Sequence, residues 1–170
     1  MSEAITRTST TPLLRLSGWA AIAGGVLRIA DTFTTTALPQ NTLMLLYFAT
    51  DVLLLTGIAG VWVRQRRELG LTGTISLAVF VVGILMIRAS AFGVLGYQPG
   101  AAAALIGMAL YSVDALVKRS TPMWAPLLWL LSLAAGIASV AGYQPVTMFA
   151  LAGIAFGFGF VVAGATVLKG

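Results

Sequence analysis

The stretch that decides the fold covers residues 42–67, TLMLLYFATDVLLLTGIAGVWVRQRR, and joins a long apolar run to three arginines. The run 42–63 contains Asp51 as its one charged residue. It is long enough to cross a membrane, because a helix needs about 20 residues to span the hydrocarbon core. Lys and Arg collect in the short cytoplasmic loops of membrane proteins. This stretch therefore predicts a transmembrane helix that ends at a cytoplasmic loop.

The composition excludes most soluble functions. Of the 170 residues, 59% are hydrophobic and 9% are charged, whereas a soluble domain has about 25% charged residues. The net charge of +5 comes from cations in short loops, so we expect no nucleic-acid partner. Cys and His are both absent from the sequence, which excludes disulfides and thiolate or imidazole metal ligands. We therefore expect no metal, no cofactor and no enzymatic activity.

Five further apolar runs accompany the first one. The six predicted spans cover residues 13–35, 42–63, 71–95, 101–117, 123–141 and 146–168. Lys and Arg lie before the first span and after the second, fourth and sixth, while the loops 36–41, 96–100 and 142–145 contain none. This alternation predicts an all-α polytopic membrane bundle, with six transmembrane helices in three in–out–in hairpins and both termini cytoplasmic. Residues 1–12 would form a short cytoplasmic tail, and residues 13–170 a single domain.

A short repeat agrees with the hairpin arrangement. The tetrapeptide GYQP occurs at residues 96–99 and again at 142–145. Both copies fall in predicted outer loops, where Gly and Pro also favour tight turns on their own account. The repeat therefore predicts hairpins of similar plan, and chance recurrence in two turns stays open as the alternative.

Four charged residues inside the spans are the candidate site. A charge at the bilayer centre costs about 2.5–3.5 kcal/mol and is functional by default. Counting at 1.5 Å per residue places Arg28 and Arg88 about 10 Å below the outer ends of their spans and Asp51 about 15 Å deep, with Asp31 one turn nearer the outer interface than Arg28. Two arginines beside one embedded carboxylate would give a net positive cavity open to the outside. Such a cavity suits an anionic small molecule or a lipid-like anion.

Two structural explanations of the same charges stay open. Asp51 could form a buried ion pair that fixes the helix register without binding a ligand. The arginines could instead extend towards the outer headgroups. Asp114 lies four residues before Lys118, and this spacing predicts a pair on one helix face at the inner interface.

Small residues predict where helices approach each other closely. Ala21 and Gly25 lie four residues apart in the first span, and Gly153 and Gly157 do so in the sixth. Such faces promote helix–helix packing in membranes, within the monomer or against a membrane-protein partner or a second copy. The tryptophans, Trp129 among them, are expected at the membrane interfaces.

The opening residues 14–25, LRLSGWAAIAGG, resemble the start of small, uncharacterised six-span bacterial integral membrane proteins. The resemblance implies a location in the bacterial inner membrane and carries no activity with it. The sequence thus favours a non-enzymatic membrane protein that binds or translocates an anionic ligand and contacts membrane lipids. One alternative is an accessory subunit that docks a larger complex through its glycine faces. The other is a lipid-modifying enzyme with Asp51 or Asp31 as its base.

Overall fold

The computed structural model describes residues 2–34, 38–91, 93–94, 96–119 and 122–169, with side chains from Pro12 onwards. Over those residues the chain forms five helices and no strand. The helices are α1 (Ser2–Thr34), α2 (Gln40–Ser90), α3 (Tyr97–Lys118), α4 (Trp124–Val140) and α5 (Pro145–Lys169). The predicted span ends at residues 35 and 95, together with residues 36 and 37 of the first outer loop, lie outside the described residues.

The all-helical prediction is confirmed, but the helix count differs from the predicted six. Four helices are long and apolar enough to cross a membrane: α1 from Pro12 onwards, α2, α3 and α5. The fourth helix, α4, is apolar but only 17 residues long. Helix α1 packs against α2 and α5, α2 also packs against α3, and α4 packs against α5. The molecule is thus a helical bundle with several candidate membrane-spanning helices.

The second and third predicted spans both lie within α2, which has 51 residues. A straight helix of that length would extend about 75 Å. Gly70, however, has φ 59° and ψ −166°, which are not helical values. Asp51 and Arg88, near the two ends of α2, form an ion pair. The chain therefore reverses at Gly70, and the two halves of α2 lie side by side.

Gly70 should be sensitive to the addition of a single methyl group. Its combination of positive φ and extended ψ is accessible essentially to glycine alone, and imposing it on another residue costs about 1–3 kcal/mol. We expect Gly70→Ala to lower the free energy of unfolding by that amount, measured by SDS titration in mixed micelles. The matched control is Gly96→Ala, because Gly96 has φ −72° and an added Cβ would lie 3.6 Å from Pro99 Cδ. Equal losses in both variants would contradict the conformational explanation.

Basic side chains meet at one end of the bundle. Lys118 Nζ donates a hydrogen bond to the Leu69 carbonyl (2.6 Å) and lies 2.7 Å from an Asp114 carboxylate oxygen. Arg64 Nη1 donates to the Val167 carbonyl (3.1 Å). Cations are favourable at helix C-termini, where carbonyl groups lack helical partners. We call this region, formed by residues 64–70 and the C-terminal turns of α3 and α5, the basic end. The predicted Asp114–Lys118 pair is confirmed.

The two copies of the GYQP repeat adopt different backbone conformations. In the first copy, α3 begins at Tyr97, so most of the repeat is already helical. In the second copy, α5 begins only at Pro145, after Gly142 and Gln144 with φ values of 84° and 38°. The repeat therefore does not mark two structurally equivalent turns.

The predicted small-residue faces pack within the chain. A Cβ added at Gly157 would lie 2.5 Å from the Gly25 carbonyl oxygen, and the reverse distance is the same. A Cβ added at Gly153 would lie 2.5 Å from Thr32 Oγ1. Ala21 is fully buried and packs against Gly57 of α2. These faces join α1 to α5 and α2, so the protein's own helices occupy them.

The surface of the bundle is apolar and its centre is aromatic. Large apolar side chains are exposed on all five helices, up to 92% for Val140. Apolar patches of this extent are unusual for a soluble monomer and normal for a surface in contact with lipid. Trp129, expected at an interface, is instead buried, with its ring 5.7 Å from Tyr111 and 5.4 Å from Phe160. These features are those of a membrane protein.

Candidate functional site

Five polar residues come together near the C-terminal end of α1. Arg28 and Asp31 lie on α1, Thr50 and Asp51 on the first half of α2, and Arg88 on its second half. We call these five residues the charged cluster. Gly25 and Thr32 of α1 contact α5 near Gly157 and Gly153, far along α5 from Val167 at the basic end. The charged cluster therefore lies towards the opposite end of the bundle.

An ion pair between Arg88 and Asp51 is the central contact of the cluster. Arg88 Nε meets an Asp51 carboxylate oxygen, and the two side chains are 28% and 12% exposed, respectively. The Arg88 guanidinium also lies 5.9 Å from the centre of the Tyr47 ring, within the range of a cation–π interaction. Because of these two neighbours, Arg88 is held in place and its charge is balanced by Asp51.

Asp31 is buried within the bundle, which its position along α1 did not reveal. Counting residues along the helix predicts that Asp31 lies near the outer interface. Helix α2 covers its side chain, so the residue is only 2% exposed. Neither of its carboxylate oxygens has a hydrogen-bond partner among the described residues. The Thr50 hydroxyl approaches the Asp31 carboxylate closely, but the contact falls short of full hydrogen-bond geometry, and the hydroxyl has no other partner among the described residues. About 90% or more of buried polar groups are satisfied in folded proteins, so Asp31 and Thr50 form a local exception.

Arg28 joins the cluster without contacting Asp51. Its side chain is partly buried, and its charge acts on both Asp31 and Asp51. Within the described part of the chain, the ion pairs are Arg88–Asp51 and Lys118–Asp114, so Arg28 forms none. The two arginines and two aspartates of the cluster have formal charges that cancel. The sequence prediction counted two arginines against Asp51 alone, whereas the cluster also includes the buried Asp31.

Two grooves in the surface of the bundle lie away from Arg28 and Arg88. One, of about 380 Å³, is lined by Thr32, Ser139, Pro145, Val146, Phe149 and Ala150. The other, of about 440 Å³, runs between the two halves of α2. Neither is lined by Arg28, Asp51 or Arg88. The predicted outward-facing cavity around the arginines thus corresponds to neither groove.

Sequence reasoning missed a second buried polar contact. The Tyr111 hydroxyl donates a hydrogen bond to Gln65 Oε1 (2.5 Å), and both residues are buried. This bond ties α3 to the segment beside the turn at Gly70. Gln65 stands among arginines in the sequence, and nothing in that pattern separates it from a solvated loop residue. In the described ranges, His, Cys, Asp and Glu form no group of three or more that could hold a metal ion.

The charged cluster combines an ion pair, a second guanidinium and a buried carboxyl group without a full hydrogen bond to the described residues. Its groups can donate and accept hydrogen bonds and interact with charged ligands. No protein-family model, curated protein or solved structure matches this chain.

Proposed function

We propose that this protein is a multi-pass protein of a bacterial inner membrane that binds or translocates a small or lipid-like anionic ligand. The role is non-enzymatic, and the ligand contacts the charged cluster. One observation supports this proposal above the others: the carboxyl group of Asp31 is buried beside Thr50, and neither of its oxygens has a full hydrogen bond to a described residue. Unsatisfied buried groups in native proteins call for an explanation such as a bound ligand or water.

The membrane arrangement that we propose has six spans in three in–out–in hairpins. The two halves of α2 supply two of the spans, α4 supplies the shortest, and α1, α3 and α5 supply the others. The reversal at Gly70 supports the division of α2. The basic end would face the cytoplasm together with both termini, as the distribution of Lys and Arg favours. Size and span number would then agree with the small bacterial membrane proteins that residues 14–25 resemble.

The contacts within the charged cluster restrict the chemistry of the ligand. Asp51 balances the charge of Arg88, so Arg28 is the guanidinium that meets an anionic group. A guanidinium offers five donors in a planar fork, which suits carboxylate and phosphate oxygens. Asp31 and Thr50 offer acceptors close by. The ligand that satisfies both sides carries an anionic group and, next to it, a hydrogen-bond donor.

The accessory-subunit alternative loses its main support. It required the glycine faces of α1 and α5 to be available to a partner. Gly25 and Gly157 instead approach each other so closely that an added Cβ on either would lie 2.5 Å from the other's carbonyl oxygen. A partner or a second copy would therefore need a different surface.

The test is native mass spectrometry of the protein released from its own membranes in mild detergent. We expect wild type to retain an anionic small molecule or lipid, and Arg28→Gln to lose it while folding normally, because Arg28 makes no ion pair with a described residue. Arg119→Gln is the matched control, since it removes one exposed positive charge away from the cluster. Equal ligand occupancy in Arg28→Gln and wild type, or no bound ligand in wild type, would contradict the proposal.

A further inference from the structure

The groove between the two halves of α2 is distinct from the charged cluster. Its volume is about 440 Å³, and its lining is almost entirely apolar. The lining residues are Leu55, Ile58, Ala59 and Trp62 from the first half, and Thr74, Leu77, Ala78 and Val81 from the second. Thr74 is the one polar member, and its hydroxyl donates to the Gly70 carbonyl of its own segment (2.9 Å). The walls of the groove thus offer mainly hydrocarbon contacts to a ligand.

Helix register connects this groove to a positive charge. Its first wall follows the spacing i, i+3, i+4, i+7 from Leu55 to Trp62, which is one face of a helix. Four residues beyond Trp62 on the same face is Arg66, which is exposed. Arg64 is already bonded to the C-terminus of α5, whereas Arg66 lies one helical turn beyond Trp62, towards the basic end. By helix register, a guanidinium therefore follows the apolar wall of the groove on the same helix face.

We propose that this groove binds one acyl chain of an anionic phospholipid, whose phosphate is held by Arg66. A hydrocarbon chain matches the lining, and a phosphate anion matches the charge at the mouth. An acyl chain that moves from the bilayer into the groove gains little hydrophobic free energy, because the surrounding lipid is already apolar. Selectivity must then come from the headgroup charge. One arginine near a membrane surface corresponds to about a fivefold preference for anionic over zwitterionic lipid.

This site goes beyond the proposed function. The groove extends from the basic end towards the charged cluster, with Leu55 one helical turn from Asp51, but it shares no lining residue with the cluster. Its ligand bridges the two halves of α2, so it would hold together the turn at Gly70. The inference stands or falls independently of the ligand at Arg28.

Trp62 provides a reporter inside the groove, because it lines the groove and is 37% exposed. The protein is placed in nanodiscs that contain phosphatidylglycerol and phosphatidylcholine, with bromine on the acyl chains of one lipid or the other. Bromine quenches tryptophan fluorescence on contact. The signal of Trp62 is the difference between wild type and Trp62→Phe. We expect brominated phosphatidylglycerol to occupy the site about fivefold more readily than brominated phosphatidylcholine at equal mole fraction.

Three variants make the test specific. Arg66→Gln should abolish the headgroup preference, whereas Arg119→Gln, the same charge change at another exposed position of the basic end, should retain it. Ala78→Leu fills the groove without changing charge and should also abolish the preference. Equal quenching by both lipids in wild type would overturn the proposal. A preference that survives both Arg66→Gln and Ala78→Leu would overturn it as well, because the lipid would then lie elsewhere near Trp62.

Discussion

Replacing Arg88 by methionine should lower the free energy of unfolding by about 3–5 kcal/mol. The change leaves Asp51 without its counter-charge, and the Asp51 side chain is only 12% exposed. A buried carboxylate that loses its partner retains its desolvation penalty and loses the Coulombic attraction that offsets it. SDS titration in mixed micelles, followed by circular dichroism, measures the loss.

The double variant Asp51→Leu/Arg88→Met separates the charge from the packing. Replacing both members of a buried ion pair by apolar residues of similar size is often neutral or stabilising. We therefore expect the double variant to recover most of the stability that Arg88→Met loses. Destabilisation by the full sum of the two single changes would show that the ion pair is not the relevant interaction.

The second large effect is expected at the contact of α1 with α5. An Ala at Gly157 would place Cβ 2.5 Å from the backbone oxygen of Gly25, and a backbone oxygen cannot move aside as a side chain does. Overpacking of this kind costs about 1–3 kcal/mol, so Gly157→Ala should be destabilised by that amount. Gly157→Leu should cost more and separate the two helices. Cysteine cross-linking between α1 and α5 would report the separation directly.

Gly136→Ala is the control for Gly157→Ala. Its added Cβ would lie 3.2 Å from Leu105 Cδ1, the end of a flexible side chain that can shift. We expect a loss of stability well below that of Gly157→Ala. If the two variants were equally stable, the close approach of α1 and α5 would not matter to the fold.

The features that the sequence predicted are local ones. Apolar runs of sufficient length predict helices, and a four-residue spacing predicts the pair of Asp114 and Lys118. The three arginines at 64–67 correctly indicated a break between two apolar runs. The break itself lies at Gly70, where the backbone leaves helical geometry and the chain reverses between two helical halves.

The features that the sequence missed depend on which face of a helix meets which neighbour. Counting residues gives the height of Asp31 along α1, but it does not reveal that α2 covers that face. Trp129 is a similar case. Its position along α4 suggested a membrane interface, but it lies on the face of the helix that packs in the core. The hydrogen bond of Gln65 to Tyr111 joins residues far apart in the chain, and a single sequence contains no signal for it.

The Asp51–Arg88 contact also has a consequence for the order of biosynthesis. A chain inserted as it is made delivers Asp51 to the bilayer well before Arg88 leaves the ribosome. Until then, the segment carries an uncompensated aspartate whose insertion costs about 2.5–3.5 kcal/mol. The leucines around Asp51 must offset that cost, or the segment must wait beside the translocon for its partner. Stalling translation between the two residues should therefore leave the first half of α2 poorly inserted, and release should complete both halves together.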